Sequence, residues 1–283
     1  MVAGPQQLAA AQRVLVDAAA MCWDHRPVIA SHQLTIATTL MKGTSVFFDD
    51  YPRFLDTSET ASGKRRLNLR QEAMIAEHAD LLRGKRVLDI ASHDGRWSFA
   101  ALKTAGASHV IGVEANSELV KNGEETFEHY GVDKDQYRFI DADVFDVLAD
   151  PAAHDIEVDV VMCLGFMYHT LRYAELLNGV RALEPELMLL DTAVHPAPGK
   201  LVRIFDEDTS KESASADGVH GHRGHMITGR PTVDALQMML EVHGYKIEEK
   251  FDWPAYLLEH DYRPGPVAQY NNGKRITWVC RVV

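Results

Sequence analysis

Candidate acid–base residues follow two apolar runs in the second half of the chain. His169 comes shortly after the run 158–164, and Asp191 lies in the run 187–192 with His195 close behind it. A positioned histidine that takes a proton from a hydroxyl typically accelerates a reaction by ~10²–10⁴-fold. We therefore interpret His169 as a candidate general base. Asp191 is a carboxylate that could orient the base, bind acceptor hydroxyls or hold a divalent metal.

A second group of residues has the types and spacing of a nucleotide site. The turn Ala91-Ser92-His93-Asp94-Gly95 lies between the apolar runs 86–91 and 109–113, and Glu114 follows the second run. In nucleotide-binding α/β units such a turn lets backbone N–H groups approach a ligand at a helix N-terminus. An acidic residue roughly 20 positions further on accepts the ribose hydroxyls. The stretch therefore predicts a site for an adenosine-containing cofactor.

The composition of this turn discriminates between cofactors. A dinucleotide needs glycines where the backbone meets the pyrophosphate and where the helix packs on the strand. This turn has one glycine, Gly95, and the bulky Arg96 and Trp97 follow it. S-adenosylmethionine has no pyrophosphate, so a single glycine suffices. We predict S-adenosylmethionine, and not NAD, as the cofactor.

The elements that must position these residues alternate along the chain. Alternating strands and helices require parallel βαβ units with right-handed crossovers. The predicted fold class is α/β, with a Rossmann-like, mostly parallel seven-stranded sheet and helices on both faces. The runs interpreted as strands are 86–91, 109–113, 137–142, 158–164, 187–192, 245–252 and 276–282.

Two stretches lie outside this core pattern. Residues 1–63 are predicted to form a helical extension ending in a loop over 47–63, and a helix at 65–82 opens the main domain, 64–283. Residues 195–230 lose the apolar period and are rich in Gly, His, Ser and Asp, so we expect a structureless, lid-like insert that faces the substrate. The histidines at its end, His220, His222 and His225, lack the paired ligands of a structural zinc site.

Residues 87–95 resemble the first motif of the class I S-adenosylmethionine-dependent methyltransferases, with Val87-Leu88-Asp89-Ile90 followed by Gly95. The resemblance extends over roughly 68–192, although the common motif has glycines where this chain has Ala91 and His93. It implies that Glu114 takes the ribose hydroxyls and that Leu164 and Gly165 lie beside the methionine part. The expected cofactor contacts are Asp89, Ala91, Ser92, His93, Gly95, Trp97, Glu114, Ala115, Asp143, Val144, Leu164, Asn68 and Arg70.

Two of these contacts have alternatives. The resemblance implies that the Asp143 carboxylate and the Val144 backbone amide meet the adenine, but Asp141 and Asp146 lie in the same acidic loop. Asn68 and Arg70 precede the first strand, and either could meet the methionine carboxylate.

The segment Gly165-Phe166-Met167-Tyr168-His169 resembles a Gly-x-x-Tyr-His arrangement in methyltransferases and in related carboxymethyl-transferring enzymes of transfer RNA. The resemblance implies that Tyr168 lines the reactive end of the cofactor and that His169 faces the acceptor. His169 could instead simply cap the following helix. Tyr168, His169 and Asp191 are the predicted catalytic residues, and Asp191 is also the candidate ligand of a Mg²⁺ cofactor.

Composition narrows the class of partner. The chain has 283 residues and a net charge of −12, which disfavours binding of bulky nucleic acid because such proteins usually present a basic surface. No apolar run approaches the ~18 residues of a membrane span. The cysteines, Cys22, Cys163 and Cys280, are unpaired in pattern and no secretory signal is visible, so we expect a cytoplasmic protein.

The sequence as a whole predicts an S-adenosylmethionine-dependent O-methyltransferase. The overall pattern looks like actinobacterial sugar O-methyltransferases, which implies a small polar acceptor, a sugar or short oligosaccharide, and leaves a homodimer open. A transfer RNA nucleoside (carboxy)methyl-transferring enzyme is the alternative, because Lys64, Arg65, Arg66 and Arg70 form a basic cluster. A non-catalytic nucleoside-binding module is a second alternative.

Overall fold

A central sheet dominates the computed structural model, which describes residues 46–56, 63–209, 221–260 and 267–283, all within the compact unit Met41–Val283. Seven strands pair in the order β3-β2-β1-β4-β5-β9-β8, and β6 and β7 form a separate two-stranded sheet. The bounds are β1 Arg86–Ile90, β2 His109–Glu114, β3 Tyr137–Asp141, β4 Val160–Leu164, β5 Leu187–Ala193, β6 Val202–Asp208, β7 His225–Pro231, β8 Tyr245–Lys250 and β9 Arg275–Val282.

The first five strands are parallel, and β9 inserts antiparallel between β5 and β8. This arrangement confirms the predicted mostly parallel, seven-stranded sheet. The chain builds outward from β1 to β2 and β3 and then returns to place β4 on the other side of β1. That reversal is a switch point, and ligands of open α/β sheets bind there, beyond the carboxyl ends of the strands.

Helices cover both faces of the sheet because alternate strand residues point in opposite directions. Val87 and Val160 belong to one apolar cluster, whereas Leu88 and Val161 belong to the other. The α-helices are α1 Phe47–Asp50, α2 Arg53–Asp56, α3 Lys64–Gln71, α4 Ala79–Leu82, α5 Arg96–Ala100, α6 Ser117–His129, α7 Val144–Ala149, α8 Tyr173–Ala182, α9 Val233–Val242, α10 Trp253–Glu259 and α11 Ala268–Asn271. Among the described helices, none has the length and apolarity needed to cross a membrane.

The segment predicted as a loop over 47–63 contains two short helices, α1 and α2, so that prediction is wrong for 47–56. Phe48 and Phe54 are fully buried, and their rings pack edge to face at 6.0 Å. Aromatic burial fixes these turns although the segment has no helical period. The helices predicted before residue 46 lie outside the described residues and stay predictions.

The insert 195–230 is not structureless, which corrects a second prediction. Strands β6 and β7 pair antiparallel within it, with Phe205 opposite Thr228 and Arg203 opposite Arg230. Both faces of this pair carry charged or exposed side chains, so the apolar alternation that reveals a half-buried strand is absent. Residues 210–220 lie outside the described part, and in the part that is described no group of three or more His, Cys, Asp or Glu side chains could hold a metal ion.

Candidate functional site

The predicted cofactor residues meet at the carboxyl edge of the sheet, at the switch point. Glu114 ends β2, Asp143 caps α7 just after β3, and Leu164 ends β4 next to the turn that follows β1. Parallel pairing of β2 with both β1 and β3 places these strand ends side by side. Residues that are far apart in the sequence therefore lie at the same edge of the sheet.

The turn after β1 has an unusual backbone. Ala91, His93 and Gly95 all have positive φ, at 52°, 57° and 76°. Residues with a Cβ pay roughly 1–2 kcal/mol in this left-handed region, so Ala91 and His93 are strained where the resembled motif has glycines. Ser92 holds the turn against β2, because its N–H donates to the Val113 carbonyl at 2.9 Å.

Gly95 is the one position of this turn where a side chain would also collide with its surroundings. A Cβ there would lie 2.5 Å from Cζ of Phe139 and 3.0 Å from Cε2 of Phe127. We expect Gly95→Ala to lower the free energy of unfolding by about 2–4 kcal/mol, since backbone strain and overpacking add. Urea denaturation measures the change.

Gly84→Ala is the matched control for this substitution. Gly84 has a similar φ of +70°, but nothing lies within 4 Å of its Cβ position. Gly84→Ala should therefore lower the free energy of unfolding by about 1 kcal/mol, because only the backbone conformation is affected. Equal losses at the two glycines would contradict the ring contact as the cause.

Glu114 ties the turn to the next loop. Its Oε2 accepts the His93 N–H at 2.9 Å, and its Oε1 accepts the Asn116 N–H at 3.0 Å. Burial raises the pKa of Glu114, and these two backbone donors oppose that effect. Each carboxylate oxygen can accept a further hydrogen bond. The side chain can therefore bind the two hydroxyls of a ribose while it also holds the two backbone N–H groups.

Asp89 and Asp94 stabilise the turn through hydrogen bonds to the first residues of α5. Asp89 Oδ2 accepts the N–H and the hydroxyl of Ser98 at 3.1 and 2.8 Å, and burial raises the pKa of Asp89 to about 7. Burial would raise the pKa of Asp94, but the charges and hydrogen bonds of Arg96 and His93 together outweigh it and lower that pKa. Arg96 donates to both Asp94 oxygens at 2.7 Å. These contacts orient α5 and the turn.

The two candidates for the methionine carboxylate differ in their surroundings. Asn68 accepts the Phe48 N–H at 2.8 Å and donates to Asp49 at 2.8 Å, so its amide joins α3 to α1. The Arg70 guanidinium lies 4.8 Å from the Trp97 ring centroid, and its Nε is buried without a hydrogen-bond partner. Arg70 Nη2 would lie 3.9 Å from a Cβ at Gly165. The guanidinium thus lies near Gly165, and its unpartnered Nε could donate to a carboxylate, which favours Arg70 over Asn68.

Asp191 has contacts that differ from those predicted for it. It is fully buried, and its Oδ1 accepts Arg275 Nε at 2.7 Å and Arg70 Nη2 at 3.2 Å. Its Oδ2 accepts the hydroxyls of Tyr270 at 3.0 Å and Thr277 at 2.7 Å. The carboxylate is thus committed to protein donors. These contacts argue against a Mg²⁺ role for Asp191 and against a role in orienting the base, and both roles stay predictions.

The partner of His169 is Glu207, from β6. His169 Nδ1 lies 3.0 and 3.1 Å from the two carboxylate oxygens of Glu207. Burial would raise the pKa of Glu207, but His169, together with Thr228 and Arg230, outweighs it and lowers that pKa. An ionised carboxylate only accepts hydrogen bonds, so the contact assigns the proton to Nδ1 and leaves Nε2 as the acceptor of the ring. His169 ends a single 3₁₀ turn, Met167–His169, after β4.

Two residues of this site escaped the sequence reasoning. Glu207 lies in the insert that was predicted to be structureless, and no apolar periodicity indicated a strand there. Arg275 begins β9, and a charged residue at the start of an otherwise buried strand was the available signal. Pairing of β5 with β9 brings Arg275 to Asp191.

Comparisons with known sequences agree with this geometry. Residues 87–186 match a family model described as a methyltransferase domain. A Methanocaldococcus jannaschii protein, named as a candidate ribosomal RNA large subunit methyltransferase, is 35% identical over 80 residues, which are 28% of this chain and 20% of that protein. The chain therefore spans about a fifth of the length of this curated relative.

Solved structures share the fold. The 1,6-didemethyltoxoflavin-N1-methyltransferase of Burkholderia thailandensis, with 1,6-didemethyltoxoflavin and S-adenosylhomocysteine bound, has a TM-score of 0.51 at 16% identity, covering 100% of this chain and 92% of that chain. The N-terminal domain of EvdMO1 with S-adenosylhomocysteine bound has a TM-score of 0.51 at 18% identity, covering 76% of this chain and 80% of the other. Residues 87–186 are therefore similar to a methyltransferase domain, and the chain shares the Rossmann-like fold of these solved methyltransferases.

Proposed function

We propose that this protein is an S-adenosylmethionine-dependent O-methyltransferase that acts on a hydroxyl of a small polar acceptor, a sugar or short oligosaccharide. The His169–Glu207 pair carries the proposal. It lies four residues beyond Gly165, at the carboxyl edge where the cofactor site is built. An N-methylation of an uncharged amine has less need of such a base, whereas a hydroxyl has to lose its proton.

The cofactor is assigned to the turn after β1 and its neighbours. Glu114 takes the ribose hydroxyls, and Asp143 with the Val144 amide takes the adenine. Arg70 takes the methionine carboxylate through its orphaned Nε. The remaining proposed contacts are Asp89, Ala91, Ser92, His93, Gly95, Trp97, Ala115 and Leu164, all in or next to that turn and the ends of β2 and β4.

The proposed chemistry is an in-line displacement. Bound S-adenosylmethionine supplies a methyl group on a positively charged sulfur. Glu207 accepts the Nδ1–H of His169 and fixes the ring, so Nε2 takes the proton of the acceptor hydroxyl as the new O–C bond forms. The remaining rate acceleration comes from holding the acceptor in line with the methyl group. Orientation of this kind can lower the activation barrier by ~7–11 kcal/mol.

Aromatic and polar side chains around His169 support a polyhydroxylated acceptor. The Arg230 guanidinium lies 4.6 Å from the ring centroid of Phe205 and 5.9 Å from that of Tyr168. Sugars bind to surfaces that combine an aromatic face with a few placed hydrogen-bonding groups. β6 and β7 therefore bring an acceptor platform to the base.

Calorimetry with S-adenosylmethionine, S-adenosylhomocysteine and NAD tests the cofactor assignment. We expect the first two to bind with micromolar or better affinity and NAD not to bind. Glu114→Gln should weaken S-adenosylhomocysteine binding by about 10-fold or more, since a hydrogen bond to a charged group is lost. Glu118→Gln, at an exposed position of the same loop-helix junction, is the control. Absence of binding by either sulfur cofactor would refute the proposal.

RNA modification is the second candidate, favoured by the name of the Methanocaldococcus jannaschii relative. The exposed Lys64 and Arg65 at the start of α3 would contact phosphates. Such binding weakens steeply with salt. Filter binding of transfer RNA that is tight at low salt, and lost in a Lys64→Ala, Arg65→Ala double variant, would favour this candidate over a saccharide.

A further inference from the structure

Arginines from three distant segments surround Tyr168. The Arg275 guanidinium lies 5.2 Å from the Tyr168 ring centroid and that of Arg230 lies 5.9 Å away. Arg275 and Arg70 share Oδ1 of Asp191. Arg66 is one helical turn before Arg70 on α3 and is within electrostatic range of both Arg70 and Arg275. We call Arg66, Arg70, Arg230 and Arg275 the arginine cluster.

The arginine cluster has more positive charge than its carboxylates balance. Among the described residues, the anions facing it are Asp191, bonded to Arg70 and Arg275, and Glu207, bonded to His169. In that part of the chain Arg66 and Arg230 form no ion pair. The carboxylate of S-adenosylmethionine is assigned to Arg70, and the ammonium and sulfonium groups of the cofactor supply no negative charge to Arg66 or Arg230. Within the described residues, this leaves positive charge that an acidic acceptor would balance.

Two neighbouring groups respond to this field. Burial would raise the pKa of Tyr168, yet Arg275, His169 and Arg70 outweigh it and lower that pKa to about 8. Burial and the charge of Arg70 lower the pKa of Arg66 to about 10. The contributions of the neighbouring arginines to both shifts have the direction that positive potential produces. Partly buried positive charge of this kind is a recognition element for carboxylates and phosphates.

We propose that the acceptor carries an acidic group, a carboxylate or a phosphate, which binds at the arginine cluster with Arg66 and Arg230 as its partners. This inference rests on the proposed function, because it places the acid on the molecule that is methylated. Arg230 comes from β7 and Arg66 from α3, so an acidic group there would join the insert to the cofactor side of the site. A sugar acid and a sugar phosphate are the two chemical sources.

Calorimetry on the protein saturated with S-adenosylhomocysteine tests the acceptor charge. The probes are glucuronate, glucose 1-phosphate, inorganic phosphate and, as the neutral match, glucose, all at one ionic strength. We expect at least one of the anions to bind at least 10-fold more tightly than glucose. Arg66→Gln and Arg230→Gln should each reduce that affinity by about 10-fold or more, since each removes a charge-assisted hydrogen bond. A preference for glucuronate or for the phosphates identifies the source of the acid.

Arg203→Gln is the matched control, because Arg203 stands on β6 opposite Arg230 and 4.9 Å from the Phe205 ring centroid. It should leave anion affinity unchanged. S-adenosylhomocysteine that binds while no anion exceeds glucose, or anion affinity that the Arg66 and Arg230 variants retain, would overturn the acidic acceptor and leave the methyltransferase proposal standing. Failure of S-adenosylhomocysteine itself to bind would overturn both.

Discussion

Replacing His169 with alanine is expected to lower kcat by about 10²–10⁴-fold, because the acceptor hydroxyl loses its general base. S-adenosylhomocysteine affinity should stay unchanged, since His169 lies on the acceptor side of the site in the proposed arrangement. Single-turnover kinetics with a methyl acceptor, together with calorimetry for the cofactor product, separate the two effects. A variant that keeps its turnover would remove His169 from the mechanism.

Glu207→Gln probes the same pair through its pH dependence. The Glu207 carboxylate favours the protonated imidazole, and reciprocally His169 lowers the pKa of Glu207. Removing that negative charge should move the ascending limb of the pH–rate profile to lower pH and reduce the maximal rate. A purely structural role for Glu207 would lower the rate without moving the limb.

The chain provides a matched control for both substitutions. His225 and Asp206 form a second histidine–carboxylate pair in β6 and β7, with Nδ1 and Oδ1 2.9 Å apart. Their side chains are 54% and 73% exposed, so this pair is open to solvent. His225→Ala should therefore leave kcat and the pH profile as they are. A loss comparable with that of His169→Ala would indicate disruption of β6 and β7 and not loss of a base.

The sheet was predictable because its central strands are short and buried on both faces. Runs such as 86–91 and 187–192 are mostly apolar, and turn residues bound them. β6 and β7 failed this criterion, since Arg203 and Arg230 face each other on an exposed pair. Short α1 was missed for a related reason. Burial of Phe48 decides its conformation, and that burial depends on residues such as Trp97 far along the chain.

The proposed cofactor side of the site could be assembled from the sequence because neighbouring strands end together. Glu114 and the turn at His93 lie 21 residues apart and meet as the strand order requires. The acceptor side could not be predicted in this way. Glu207, Arg230 and Arg275 reach Tyr168 and His169 from β6, β7 and β9, and no spacing rule connects these segments. Asp191 was identified by its position, but its partner Arg275, 84 residues away, was not predicted.

Asp191→Asn is expected to lower the free energy of unfolding by about 3–5 kcal/mol, because it leaves the buried guanidinium groups of Arg70 and Arg275 without their counter-charge. The arginine charges outweigh the effect of burial and lower the pKa of Asp191, so the carboxylate is ionised in the folded protein. Asparagine has the same shape but removes the charge and turns one acceptor into a donor, facing Arg275 and Arg70 or Tyr270 and Thr277. Urea denaturation at neutral pH measures the change.

Asp159→Asn provides the comparison, since Asp159 also binds an arginine, Arg86, through both oxygens. Its side chain is 27% exposed where that of Asp191 is 0% exposed, so water replaces the lost contact and the loss of stability should be much smaller. Added Mg²⁺ should stabilise neither the parent protein nor Asp191→Asn. A carboxylate held by four protein donors has little capacity left for a cation. If Mg²⁺ stabilised the parent protein and the Asp191 substitution abolished that effect, Asp191 would be a metal ligand after all.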